Sequence, residues 1–278
     1  MLTVISPAKR LNEKPHPLPP GFAQTVPEFM ADAAKLAKLA RGLSADDLCG
    51  LMDISPKLGE LNRSRFAAFD AKAPGQPAAF LFDGDTYAGL EARRMEPDTL
   101  HWAQGHLRIL SGLYGLLRPL DGIQPYRLEM GARLANPKGA DLYHWWGKKP
   151  ALALKTLAAE LDAKALVNCA STEYFGAVDQ KALGLPILTP VFLEEKAGEA
   201  KIVSFWAKKA RGAMARFVAE NHLTDPADLR GFAVGGYAFD QSQSDDQRLI
   251  FRRPVPEAVT YAVRRPAPPK RRRRRRCR

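Results

Sequence analysis

The sequence predicts an α/β domain built on a mixed sheet. Three observations carry this. Short apolar runs, at residues 2–5, 165–170 and 190–195, read as buried strands. Longer segments with helical apolar spacing lie between them, such as residues 150–162 and the stretch after Lys208. Several strand-like runs end in polar residues, which is where open α/β sheets hold their ligands. At 278 residues the chain has room for one large domain or two small ones.

Composition narrows the classes further. Hydrophobic residues make up 46%, ordinary for a globular protein, and there is no apolar run long enough to span a membrane. The N-terminus has neither the basic start nor the apolar core of a secretory signal. Cys49, Cys169 and Cys277 are odd in number and widely spaced, which argues against a disulfide framework or a zinc site and for a reducing cytoplasm. The net charge of +12 is concentrated at one end. Residues 254–278 hold ten Lys or Arg against Glu257 alone, a charge of +9; the other 253 residues hold 32 basic and 29 acidic side chains. The body must therefore bind anions by local clustering. The Pro/Arg-rich tail cannot bury a core and is expected to be disordered.

In chain order, Ser6-Pro7 closes the first strand and Lys9 lies just beyond it. Residues 14–27 hold five prolines and read as an extended surface connection. Residues 44–69 read as a helical hairpin. Ser44 and Asp47 make a capping-box start, and Leu48, Leu51 and Met52 continue that helix. Ser55-Pro56 can cap and open a second helix with Leu58, Leu61, Phe66 and Phe69 on its apolar face. Two short helices joined by a tight turn centred on Ile54 have the shape of a helix-hairpin-helix, which offers backbone N–H groups to a DNA phosphate. Asp53 and Ser55 stand where that motif usually carries glycines, so an ordinary helical hairpin reads equally well.

Residues 78–82 read as a buried strand, followed by Asp83-Gly84-Asp85 and a helix opened by Thr86, Tyr87 and Gly89. A carboxylate there can hold a metal, act as a general base, or cap the helix. Residues 97–117 read as a helix, with Leu107, Leu110, Leu113, Tyr114 and Leu117 at helical spacing. Gly112 and Gly115 inside it would each cost about 1 kcal/mol against Ala, so another backbone is expected to pass close by. Arg118-Pro119 ends the helix, and Asp121-Gly122 turns the chain. Tyr126, Arg127 and Glu129 then form either an internal Arg–Glu pair or, with Arg118, the wall of a cleft.

Tyr143, His144, Trp145 and Trp146 form either core or a base-stacking surface. The strand over 165–170 contains Cys169, read as an inert buried thiol, and is followed by Ser171, Glu173 and Tyr174. Residues 190–195 and 201–206 read as a hairpin about Gly198. The second strand leads into a helix whose stripe is Ala210, Ala213, Met214, Phe217 and Val218. Lys208, Lys209 and Arg211 fall in its first turn, where cations oppose the helix dipole unless an anion is bound. Residues 238–240 and 248–251 read as a last hairpin.

Ser111-Gly-Leu-Tyr-Gly-Leu-Leu-Arg-Pro-Leu-Asp121, followed by Pro125-Tyr-Arg-Leu-Glu-Met-Gly131, closely resembles the signature of the YaaA family of bacterial peroxide-stress proteins. Ile5-Ser-Pro-Ala-Lys9, the run 82–90, the run 168–175 and the run 208–217 resemble it too, so that the likeness covers roughly residues 1–253. The resemblance implies a cytoplasmic protein, a single compact mixed α/β domain, a positively charged cleft and DNA binding. On that reading residues 1–253 are the domain, with a helix-hairpin-helix at about 44–69, and the tail from 254 to 278 is an extension. Phosphate contacts fall to Ile54, Ser55, Lys57, Arg63, Arg65, Lys208, Lys209 and Arg211, while Lys9, Arg118, Tyr126 and Arg127 line the cleft. The expected partner is DNA, duplex or distorted, bound by a monomer without cofactor, membrane or catalysis. The alternative is an enzyme acting on a nucleotide or a flipped base through Lys9, Asp85, Tyr87, Glu129 and Glu173. The five histidines are scattered, so no metal site is expected.

Overall fold

Strand β1 (Leu2–Ile5) is buried along its whole length. The computed structural model that establishes this describes residues 1–196 and 198–254. After β1 the chain builds three helices, α1 (Met30–Arg41), α2 (Ala45–Met52) and α3 (Pro56–Ala68). The two-residue β2 (Gln76–Pro77) leads into α4 (Ala78–Leu81), α5 (Asp85–Leu90) and α6 (Pro97–His106). Strands β3 (Leu107–Ser111), β4 (Gly115–Leu117) and β5 (Gly122–Ile123) precede α7 (Leu142–Trp146) and α8 (Lys149–Glu160). Then come β6 (Leu166–Cys169), α9 (Thr172–Phe175), α10 (Gln180–Leu183), β7 (Ile187–Lys196) and β8 (Glu199–Lys201). The described chain closes with α11 (Ser204–Glu220), β9 (Ala238–Phe239) and β10 (Arg248–Pro254).

One mixed eight-stranded sheet organises these elements, in the order β4-β3-β1-β6-β7-β10-β9 with β8 beside β7. Its centre is parallel: Val4 pairs with Arg108 on one side and Asn168 on the other. The edges are antiparallel, through β4, β8 and β9. Parallel strands covered on both faces read as unbroken apolar runs, which is why residues 2–5 show no alternation. Helix α11 packs on β1, β6 and β7 and crosses α5. That crossing is a backbone contact. A Cβ on Gly89 would strike the Lys209 carbonyl oxygen, and one on Gly212 would strike that of Thr86.

Three expected elements differ. Residues 107–117 are not a helix but the β3–β4 hairpin. All of Leu107, Ile109, Leu110, Leu113, Leu116 and Leu117 are buried, so a strand enclosed on both faces left an apolar pattern that also fits a helix. The expected close backbone is present: a Cβ on Gly112 would meet the Leu128 carbonyl oxygen, while Gly115 turns the hairpin at φ +71° against the Trp146 ring. Residues 78–82 form the single buried turn α4 instead of a strand, because Ala78 and Ala79 donate to the carbonyls of Asp121 and Pro119. Helix α11 begins at Ser204, so Lys208, Lys209 and Arg211 lie past its first turn.

The helical hairpin sits at 45–68. Ser44 Oγ accepts from the Asp47 N–H at 3.1 Å and Asp47 accepts from the Ser44 N–H at 2.9 Å, closing the capping box. Asp53 turns the chain in the left-handed region. Ser55 holds the cap position of α3 without a side-chain bond, and Leu61 faces outward, 43% exposed. The tail from residue 255 lies outside the described residues. Among the described residues no helix is long and apolar enough to cross a membrane.

Candidate functional site

Because β1 and β6 run parallel, Ile5 and Cys169 release the chain at the same edge of the sheet. The next residues lock together: the Ser171 N–H donates to Ser6 Oγ at 2.8 Å, and the Ser6 hydroxyl donates to Ser171 Oγ at 3.3 Å. The α5–α11 crossing covers this edge and brings Asp85 and Thr86 opposite Lys208 and Arg211. The result is a cavity of about 480 Å³ at the carboxyl ends of the central strands. Its chemistry comes from Lys9, Asp85, Glu173, Lys208 and Arg211, with Cys169 also in its wall.

A smaller hollow adjoins it and shares Lys9 and Tyr174. There Arg127 Nε donates to Glu129 Oε1 at 2.9 Å, and Lys9 Nζ lies 3.5 Å from the same oxygen. Glu129 Oε2 is buried without a partner. Tyr126 shares a 2.6 Å hydrogen bond with Ser111 Oγ. Burial holds the Tyr126, Tyr174 and Tyr87 phenols above their ordinary range, and pushes the Cys169 thiol up to about 12 despite nearby Arg211. At neutral pH these four groups are uncharged.

The fixed charges are mostly compensated. Arg10 pairs with Asp83 at 2.9 Å and Lys9 with Glu129. Glu173 Oε1 accepts from the Gly131 N–H at 3.0 Å. Asp85, Lys208 and Arg211 have no side-chain hydrogen bond or ion pair among the described residues, and all three face the cavity. Two free cations suit a phosphate or carboxylate, and a free carboxylate beside them suits a ligand N–H or hydroxyl. Among the described residues no three His, Cys, Asp or Glu side chains are grouped to hold a metal ion.

Residues 1–243 match the family described as peroxide stress protein YaaA. The chain belongs to this family. Relatives of similar length carry the name UPF0246 protein. One from Cereibacter sphaeroides strain KD131 is 60% identical over 255 residues, covering 91% of this chain and 99% of the relative. Another from Dinoroseobacter shibae is 55% identical over 265 residues, 94% and 98% of the two chains. A third, from Phenylobacterium zucineum, is 52% identical over 257 residues, 92% and 96%.

Within this YaaA-family fold, the sequence-based candidates fall into three groups. Lys9, Asp85, Glu173, Lys208 and Arg211 line the larger cavity, and Tyr126, Arg127 and Glu129 the adjoining hollow. Tyr87 stands behind the cavity, its hydroxyl donating to the Ser6 carbonyl at 3.2 Å, and Lys209 lies exposed outside it. The rest are elsewhere. Arg118 binds Asp121 at 2.9 Å and the Val26 carbonyl at 2.7 Å, beside a separate hollow with Arg108 and Glu160. Ile54, Ser55, Lys57, Arg63 and Arg65 belong to the α2–α3 hairpin, where Arg63 pairs with Glu60 and Arg65 with Glu13. Trp145 and Trp146 are buried and offer no stacking surface. Sequence reading missed Ser6, Arg10 and Thr86; for Ser6 the signal was its place one residue past a strand.

Proposed function

We propose that this chain is a cytosolic nucleic-acid-binding protein of the peroxide stress response, and that the cavity where α5 and α11 cross is its principal phosphate-binding site. The observation that carries this reading is the pair of uncompensated cations, Lys208 and Arg211, turned into one cavity at the strand ends. Two unpaired cations suit backbone phosphate, which brings no sequence preference. The α2–α3 hairpin is a secondary contact in this reading. Two short helices joined by a tight turn support a helix-hairpin-helix reading, but two of the three cations there are already paired.

The test is the salt dependence of DNA binding by the chain truncated after Pro254, measured by fluorescence anisotropy. Replacing Lys208 and Arg211 together by Gln should weaken binding and reduce the slope of log affinity against log salt by up to about two. Replacing Lys57 and Arg63 should cost less. An unchanged slope in the first variant would refute the assignment.

The second reading is an enzyme acting on a nucleotide. It is favoured by the presence of Asp85 and Glu173 in the same cavity as the cations, since carboxylates repel a bare phosphate chain. Thermal protection by a mononucleotide, abolished in Asp85→Asn, would favour it over the first.

A further inference from the structure

Ile202, Phe205 and Val234 are large apolar side chains that remain 57%, 50% and 51% exposed. Two of them stand at the start of α11. Ile202 and Phe205 flank its first residue, and the loop carrying Val234 packs against the helix. Arg253 ties that junction together. Its guanidinium donates to the Gly235 carbonyl at 2.8 Å and lies over the Trp206 and Tyr237 rings at 4.6 and 4.5 Å. Arg253 is itself bound to the buried Glu194 at 2.8 Å. Phe205 and Trp206 pack edge to face, with ring centroids 4.8 Å apart, and the Phe205 side chain still reaches solvent.

Lysines flank this apolar run in the sequence. Lys201 precedes it, and Lys208 and Lys209 follow Phe205 by three and four residues, on the same side of the helix. Lys208 also lines the cavity. The exposed aromatic therefore lies one helical turn before a cation that lines the candidate site.

We propose that Phe205, beside Ile202 at the start of α11, is a stacking platform for the bases of a single-stranded nucleic acid whose backbone Lys208 and Arg211 hold. This rests on the nucleic-acid reading above. The cations decide the occupant: an apolar protein surface would have to desolvate Lys201, Lys208 and Lys209, whereas a polyanion gains from all three. Every base has a π face, so the platform adds affinity without sequence preference.

The experiment compares labelled oligo-dT, oligo-U of equal length and an abasic deoxyribose-phosphate oligomer, using the full chain. Phe205→Ala should weaken binding of base-bearing strands roughly 5- to 100-fold, the range of one aromatic–base stack, and leave abasic binding and the salt slope unchanged. Phe205→Trp should retain affinity and show quenched emission on binding. Loss confined to oligo-dT or to oligo-U supports the platform for that strand. Equal loss on base-bearing and abasic oligomers, or no loss, overturns the platform while leaving the cleft reading intact. Abasic binding indifferent to Lys208→Gln with Arg211→Gln sinks the cleft reading itself. If Phe205→Ala changes only self-association by light scattering, the surface belongs to a second copy and the proposal fails.

Discussion

Cys169 shows how far a single residue's behaviour follows from its surroundings. It ends β6 at 1% exposure, and its thiol is raised from an ordinary value of 9.0 to about 12 by burial. The thiolate is the reactive form, so native Cys169 should resist alkylation at pH 8 while the partly exposed Cys49 reacts. Mass spectrometry after brief iodoacetamide treatment checks this; labelling of Cys169 ahead of Cys49 would contradict it. The same shift has a sign in stability. Above pH 9 the unfolded chain loses this proton before the folded one does, so the contribution is complete below pH 9 and is lost as pH rises toward 12. The buried tyrosine phenols act in the same direction at higher pH. Denaturation midpoints should therefore fall between pH 9 and 12, and less steeply in Cys169→Ala. Burial of Cys169 was legible because it lies inside an apolar run. Lys9, Asp85 and Glu173 could be singled out because each follows such a run. Arg118 misled because a conspicuous arginine next to a proline carries no sign of which way it turns; here it serves Asp121 and Val26.

At the scale of elements, short apolar runs were found but their type was not always legible. The residues 107–117 are enclosed on every side, so neither a period of two nor one of 3.6 survives to separate strand from helix. Residues 78–82 failed for the same reason, with carbonyls of the following loop deciding the outcome. The start of α11 was placed too late because Phe205 and Trp206 carry strand propensity, and tertiary packing overrode it. That correction removes the supposed dipole clash. With Lys208 as the fifth helical residue, the effect has faded, and Gln substitutions there should leave thermal stability unchanged. The α5–α11 crossing makes the opposite prediction. Gly212→Ala forces a methyl group onto the Thr86 carbonyl and should cost about 1–3 kcal/mol, or more if the helices cannot part. The melting temperature should drop by roughly 3–10 °C. The helices that separate also carry Asp85, Lys208 and Arg211, so ligand affinity should fall with stability. A Gly212→Ala chain as stable as the parent would mean that the crossing tolerates a wider spacing.

For the molecule as a whole, the family was legible from the runs 111–121 and 125–131, long before their conformation was. The mixed sheet followed from the alternation of elements, but its order did not, because strand pairing joins residues far apart and leaves no local trace. Charge is the clearest global quantity. Removing residues 255–278 deletes most of the net charge of +12 while leaving β10 and the Arg253 clamp in place. Affinity for any polyanion should weaken and the salt slope flatten, while the weakening caused by replacing Lys208 and Arg211 with Gln persists. If that weakening disappears with the tail, the phosphate contacts belong to the tail and not to the cavity. The position of β1 has a further consequence, in time. Val4 must wait for Arg108, about 100 residues later, before it can pair. At roughly 5–20 residues per second that is about 5–20 s on the ribosome, longer still for Asn168. Throughout that interval the nascent chain carries an apolar, unpaired strand that any passing edge could capture.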